Sequence, residues 1–182
     1  MNPIQNLKKQ NFLVLIPVLC MSLVAFVLAL IAILTYAGNC ASEFNGGRVS
    51  ANVTGFGIPA IILAGVAVLV DVAALFLARS KKLASIFALS RIANYLAFML
   101  LLAAFLYQIL DEYSLLGTIL YPIFSGAVGD PVDPALTSSY FLSLILALVA
   151  SLLSLAAGIT MRKMSYRIER EPQENKEGKV HE

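Results

Sequence analysis

The chain has 182 residues, of which 59% are hydrophobic and 13% charged, with a net charge of +2 and one histidine. A soluble domain carries nearer a quarter charged residues, so this balance excludes a disordered chain, a nucleic-acid binder and an ordinary cytosolic enzyme. The lone histidine is His181, and Cys20 and Cys40 form no CxxC, which removes histidine-ligated haem, zinc hydrolysis, Ser-His catalysis and thiol–disulfide exchange at the usual spacing.

The first predicted element is a long apolar run over 12–37, preceded by Lys8 and Lys9. Its 26 apolar residues exceed the roughly 7–15 of a signal-peptide core. The reading is an uncleaved helix after a short cytoplasmic segment, 1–11. Pro17 lies near its start and predicts a kink, because proline removes one helical hydrogen bond. The loop after it contains Asn-Gly-Gly, the sequon Asn52-Val53-Thr54 and Cys40. It reads as a turn-like outer loop with a chance sequon and an unpaired thiol.

The second run is 56–78, with Pro59 expected in its first turn, where proline is tolerated. Ala60, Ala64, Ala67, Asp71, Ala74 and Ala78 recur at spacings of four and three and form one stripe. Small stripes let membrane helices approach closely. After a basic turn around Lys81, the third run covers 83–110. Ala84, Ala88, Arg91, Tyr95, Phe98 and Leu102 are expected to share its inner face.

Asp71 and Arg91 are the two formal charges deep in the apolar runs. Each stands ten residues from Lys81, which puts both at one depth of an antiparallel hairpin. An intramembrane ion pair is therefore expected, with Asn94 one turn away joining it. Its predicted role is a clamp between the second and third helices.

The loop that follows holds an apolar stretch, Leu115 to Val128, broken by Gly117, Pro122 and Gly126. It is too short to span and reads as an interfacial docking segment, with Leu115, Ile119, Tyr121, Pro122 and Phe124 as its contact residues. The last run is 138–161, with Thr137 or Ser138 as its cap. Ala150, Ser154 and Gly158 make a second small-residue face along it. Residues 163–182 lack an apolar stripe and read as a disordered cytoplasmic tail.

Each run exceeds the ~20 residues a helix needs to cross a bilayer, and none alternates as a strand would. The fold class is therefore an all-α integral membrane protein with an antiparallel four-helix transmembrane domain over 12–162. Eleven lysines and arginines flank the runs on one side and only Arg48 on the other. That bias predicts both termini in the cytoplasm and a multi-pass protein of the plasma membrane. The expected function is a structural or accessory subunit that contacts a partner in the membrane, or a second copy of itself. The alternative is a small transporter, or a subunit of one, using Asp71 and Arg91. No enzyme activity, cofactor, metal or nucleic acid is expected.

Overall fold

A computed structural model describes the backbone of residues 3–41, 49–76, 83–111 and 134–177, and side chains within 15–41, 49–76, 85–111 and 138–163. The described residues form four helices: α1 (Pro3–Cys40), α2 (Ala51–Phe76), α3 (Leu83–Asp111) and α4 (Pro134–Glu177). All four are long and apolar enough to cross a membrane, over Leu15–Cys40, Ala51–Phe76, Ser85–Asp111 and Ser138–Lys163. A 26-residue span is about 39 Å long at the rise of an α-helix.

The helices form a ring in chain order, and α4 closes it against α1. The buried positions explain how they pack. On α1 they are Leu15, Val18, Ser22, Ala25, Ala29, Ala32 and Tyr36, and on α2 Val53, Gly57, Ala60, Ala64, Ala67, Asp71 and Ala74. On α3 they include Phe87, Ser90, Asn94, Ala97, Leu101, Ala104 and Gln108. On α4 Tyr140, Ser143, Ala147, Ala150, Ser154, Ala157 and Met161 repeat the pattern. Every set alternates steps of three and four, a seven-residue repeat. A helix of 3.6 residues per turn keeps such a seam inward only by coiling left-handed around its neighbours.

Small side chains dominate the middle of the bundle, and larger ones close its two ends. At the base, near the α2–α3 connection, Leu15, Val18, Ala74, Phe87, Ala157 and Met161 form one apolar cluster. Higher up, Ala29, Ala60, Leu101 and Ala150 form a second. At the rim, near the α1–α2 connection, Tyr36, Cys40 and Val53 pack together, and Phe56 stacks on Tyr107 with ring centroids 5.3 Å apart. Outside the ring, Leu34, Ile62, Leu69, Phe76, Met99 and Leu110 are exposed. These outward-facing side chains are apolar like those of the core, as they are on helices long and apolar enough to cross a membrane.

Several boundaries differ from those read in the sequence. α2 starts at Ala51 rather than 56, because the Ser50 side chain caps it: its Oγ accepts the Val53 N–H at 3.3 Å. Pro59 therefore sits two turns inside α2 and not in its first turn. α4 begins at Pro134, a turn before Thr137 and Ser138, with proline at the first helical position, where its missing N–H costs nothing. It also runs on to Glu177, so residues 163–177 are helical instead of disordered. Extending an existing helix avoids the cost of nucleation, and this stretch is rich in Lys, Arg, Glu and Gln. Pro17 lies inside α1 with its ring on the outer face, and the helix continues through it.

Candidate functional site: a polar layer at Asp71

Asp71 is fully inaccessible, 0% exposed, on the inner stripe of α2. It is held there by its neighbours in the repeat: Ala67 and Ala74 bracket it and let α1 and α3 come close. The Ser90 hydroxyl on α3 donates to Asp71 Oδ1. Asn94, one turn along α3, donates through Nδ2 to the Ser90 carbonyl at 3.1 Å and to Ser90 Oγ at 3.4 Å. Ser22 on α1 donates to Asn94 Oδ1 at 3.4 Å, and its hydroxyl also lies against the Asp71 carboxyl. Three helices thus contribute one connected set of side chains. Asp71 Oδ2 receives no donor from any described residue.

The expected ion pair with Arg91 does not form. Asp71 takes its hydrogen bond from Ser90 instead, and Arg91 lies half-buried on the flank of α3. The depth inferred from counting to Lys81 is right to within one residue, or 1.5 Å of rise. The direction is wrong, because one residue along a helix is also a rotation of about 100°. Ala84 lies outside the residues whose side chains are described, and the rest of the expected α3 face is displaced in the same way. Ala88, Arg91, Tyr95, Phe98 and Leu102 are half-buried, while Phe87, Ser90, Asn94, Ala97 and Leu101 point inward.

The other sequence-derived positions are distributed as follows. Ala60, Ala64, Ala67 and Ala74 are buried beside Asp71 on α2, and Ala150, Ser154 and Gly158 are buried on α4. Ala78 and the docking residues Leu115, Ile119, Tyr121, Pro122 and Phe124 lie outside the described residues. Gly158 permits a close approach: a β-carbon there would stand 2.7 Å from Tyr95 Cε1. Among the described residues no three His, Cys, Asp or Glu side chains converge on a metal position.

Two polar groups nearer the rim were not evident in the sequence as partners. Gln108 donates to Ser143 Oγ at 2.5 Å, and that hydroxyl donates to the Tyr140 carbonyl at 2.8 Å. At the rim itself Ser50 joins three helices. Its backbone N–H donates to the Tyr36 hydroxyl at 2.9 Å, and its Oγ donates to Asp111. Asn52 Nδ2 donates to the same Asp111 oxygen at 3.1 Å. The sequon asparagine is therefore in the first turn of α2 with its amide engaged. Cys40 is 0% exposed in the cluster beneath, out of reach of a second chain.

Ser50 caps α2 and also ties it to α3. Replacing it with alanine should cost about 1–2 kcal/mol, at the upper end for a lost cap. The fall in thermal midpoint of the purified protein measures it. Asn52→Ala, which removes only the weaker partner of Asp111, should cost less.

The signal for Ser22 and Ser90 was present but needed the right face. Leu15, Val18, Ser22, Ala25, Ala29 and Ala32 repeat on α1 as the alanine stripe repeats on α2. No protein-family model, curated protein or solved structure matches this chain. The polar layer is therefore judged on its own chemistry. It joins one acid, two hydroxyls and an amide, with neither a nucleophile–base pair nor a polar connection to either end of the bundle among the described residues.

Proposed function

We propose that this chain is a four-pass integral membrane protein of the plasma membrane, with both termini in the cytoplasm, that works as a structural or accessory subunit and catalyses no reaction. The observation that carries the reading is the isolation of the polar layer. The apolar clusters around Phe87 below and Leu101 above close it at both ends. A conduction path needs polar groups reaching both surfaces, and among the described residues apolar clusters flank this layer on both sides. Such packing supports a rigid scaffold whose binding parts are its ends. The segment around Leu115, Ile119, Tyr121, Pro122 and Phe124 is the proposed contact with a membrane partner.

A second reading, a small transporter or a transporter subunit, is favoured by one observation: a carboxyl deep in an apolar bundle with no basic partner among the described residues. Intramembrane acids commonly mark ion or proton pathways. Reconstitution separates the two. Liposomes carrying the purified protein should show no proton, sodium or potassium flux above empty liposomes. Flux that disappears in Asp71→Asn would replace the accessory reading with the transporter. Topology is read separately: a cytosol-active reporter should give signal from either terminus, and a tail labelled from outside intact cells would overturn the proposed orientation.

A further inference from the structure

The hydrogens of the Asp71 layer do not balance. Asp71 as a carboxylate only accepts, each serine has one hydrogen to give, and the asparagine amide has two. The Asn94 amide spends its hydrogens on the Ser90 carbonyl and Ser90 Oγ. Ser90 spends its one on Asp71 Oδ1. That leaves the single hydrogen of Ser22 between two acceptors, Asn94 Oδ1 and the Asp71 carboxyl. The structure gives it to Asn94, and Oδ2 is left with no donor. Turning Ser22 toward Asp71 would only transfer the deficit to Asn94. The cluster lacks one hydrogen whichever way its hydroxyls rotate.

We propose that Asp71 is a site for one proton, carried on Oδ2 as a neutral carboxylic acid that donates to Ser22 Oγ. With that proton the bonds close into a ring. Asp71 Oδ2–H donates to Ser22, Ser22 donates to Asn94 Oδ1, Asn94 Nδ2 donates to Ser90 Oγ, and Ser90 returns its hydrogen to Asp71 Oδ1. Every polar atom of the four side chains then has a partner. The proton also removes the formal charge, which has no counter-ion among the described residues: Arg91 on α3 makes no bond to the carboxyl. The side chains that close the base below it, Leu15, Val18, Phe87, Ala157 and Met161, are apolar. A buried charge without a partner is far more costly than a buried, fully bonded acid. The ring joins α1 to the α2–α3 hairpin, so the bound proton is part of what holds α1 in place. The site does not depend on either functional reading above.

Infrared difference spectroscopy of the purified protein in lipid tests this directly. Among the residues whose side chains are described, the one other carboxyl group is Asp111, which is exposed at the rim. The wild type should show one carbonyl band of a protonated carboxylic acid, shifted by D2O, and the band should be lost in Asp71→Asn. Asparagine can give an N–H to Ser22 and accept from Ser90, so this variant is expected to fold. Should it not, Ser22→Ala serves instead: it removes the acceptor of the acid hydrogen, and the band should move to the position of a more weakly bonded acid. A wild-type spectrum without an acid band, or a band that neither substitution changes, overturns the proposal.

Discussion

Ser90→Ala should lower the stability of the purified protein by about 2–3 kcal/mol, the cost of leaving a buried acid without its donor. The alanine removes the bond to Asp71 Oδ1 and also one acceptor of the Asn94 amide. Arg91→Ala is the informative control. The guanidinium is half-buried and makes no bond to Asp71, so its loss should stay near the ±0.5 kcal/mol typical of a peripheral change. Double-mutant cycles with Asp71→Asn sharpen the contrast. Asp71 and Ser90 should be coupled by about 1–1.5 kcal/mol, at the high end for hydrogen bonds between membrane helices. Asp71 and Arg91 should be additive to within about 0.5 kcal/mol. A strong coupling to Arg91 and none to Ser90 would reverse the assignment made here.

Gly158→Leu should be the most damaging single change on α4. The Tyr95 ring lies against the glycine backbone, with Cε1 and Cδ1 at 2.7 and 2.8 Å from the position of an added β-carbon. Even alanine forces the ring to move. Overpacking typically costs 1–3 kcal/mol, so alanine is expected to lose about that much less the ~1 kcal/mol by which it favours a helix over glycine. Leucine cannot recover the clash and should abolish the α3–α4 contact or the yield of folded protein. Tyr95→Ala should rescue a large part of the Gly158→Leu loss, because it vacates the volume the leucine needs. Gly38→Ala and Gly55→Ala supply the opposite sign. Nothing lies within 4 Å of a β-carbon at either position, so only the propensity gain remains and thermal midpoints should rise slightly. If all four glycine substitutions behaved alike, close packing at Tyr95 would not be the cause.

The four long apolar helices could be read from the sequence because a run of more than twenty apolar residues is long enough to cross a bilayer as a helix and satisfies its own backbone hydrogen bonds in that form. The inner face of α2 could be read as well. There a lone acid at the centre of an alanine repeat marks the one stripe that cannot face hydrocarbon, and the structure buries that stripe from Ala60 to Ala74. The depth of Asp71 relative to α3 followed from counting along two helices of equal rise. Facing pairs such as Ala60 with Leu101 and Ala74 with Phe87 share one constant offset with Asp71 and Ser90.

The rotation of α3 did not follow from counting. In water an amphipathic pattern reveals the buried side of a helix. In a bundle whose exterior is also apolar that contrast vanishes, and Leu96 or Met99 outside looks no different in sequence from Leu101 inside. The arginine invited pairing with the acid by charge, yet a serine one residue away won it by direction. Helix ends were decided in the same local way, by Ser50 capping α2 and by the backbone continuing past Lys163. The sequence by itself determined which segments are helices and which acid is buried. Only the packing of four helices decided which side chains meet it, because that choice depends on a rotation of about 100° per residue that hydrophobicity does not encode here.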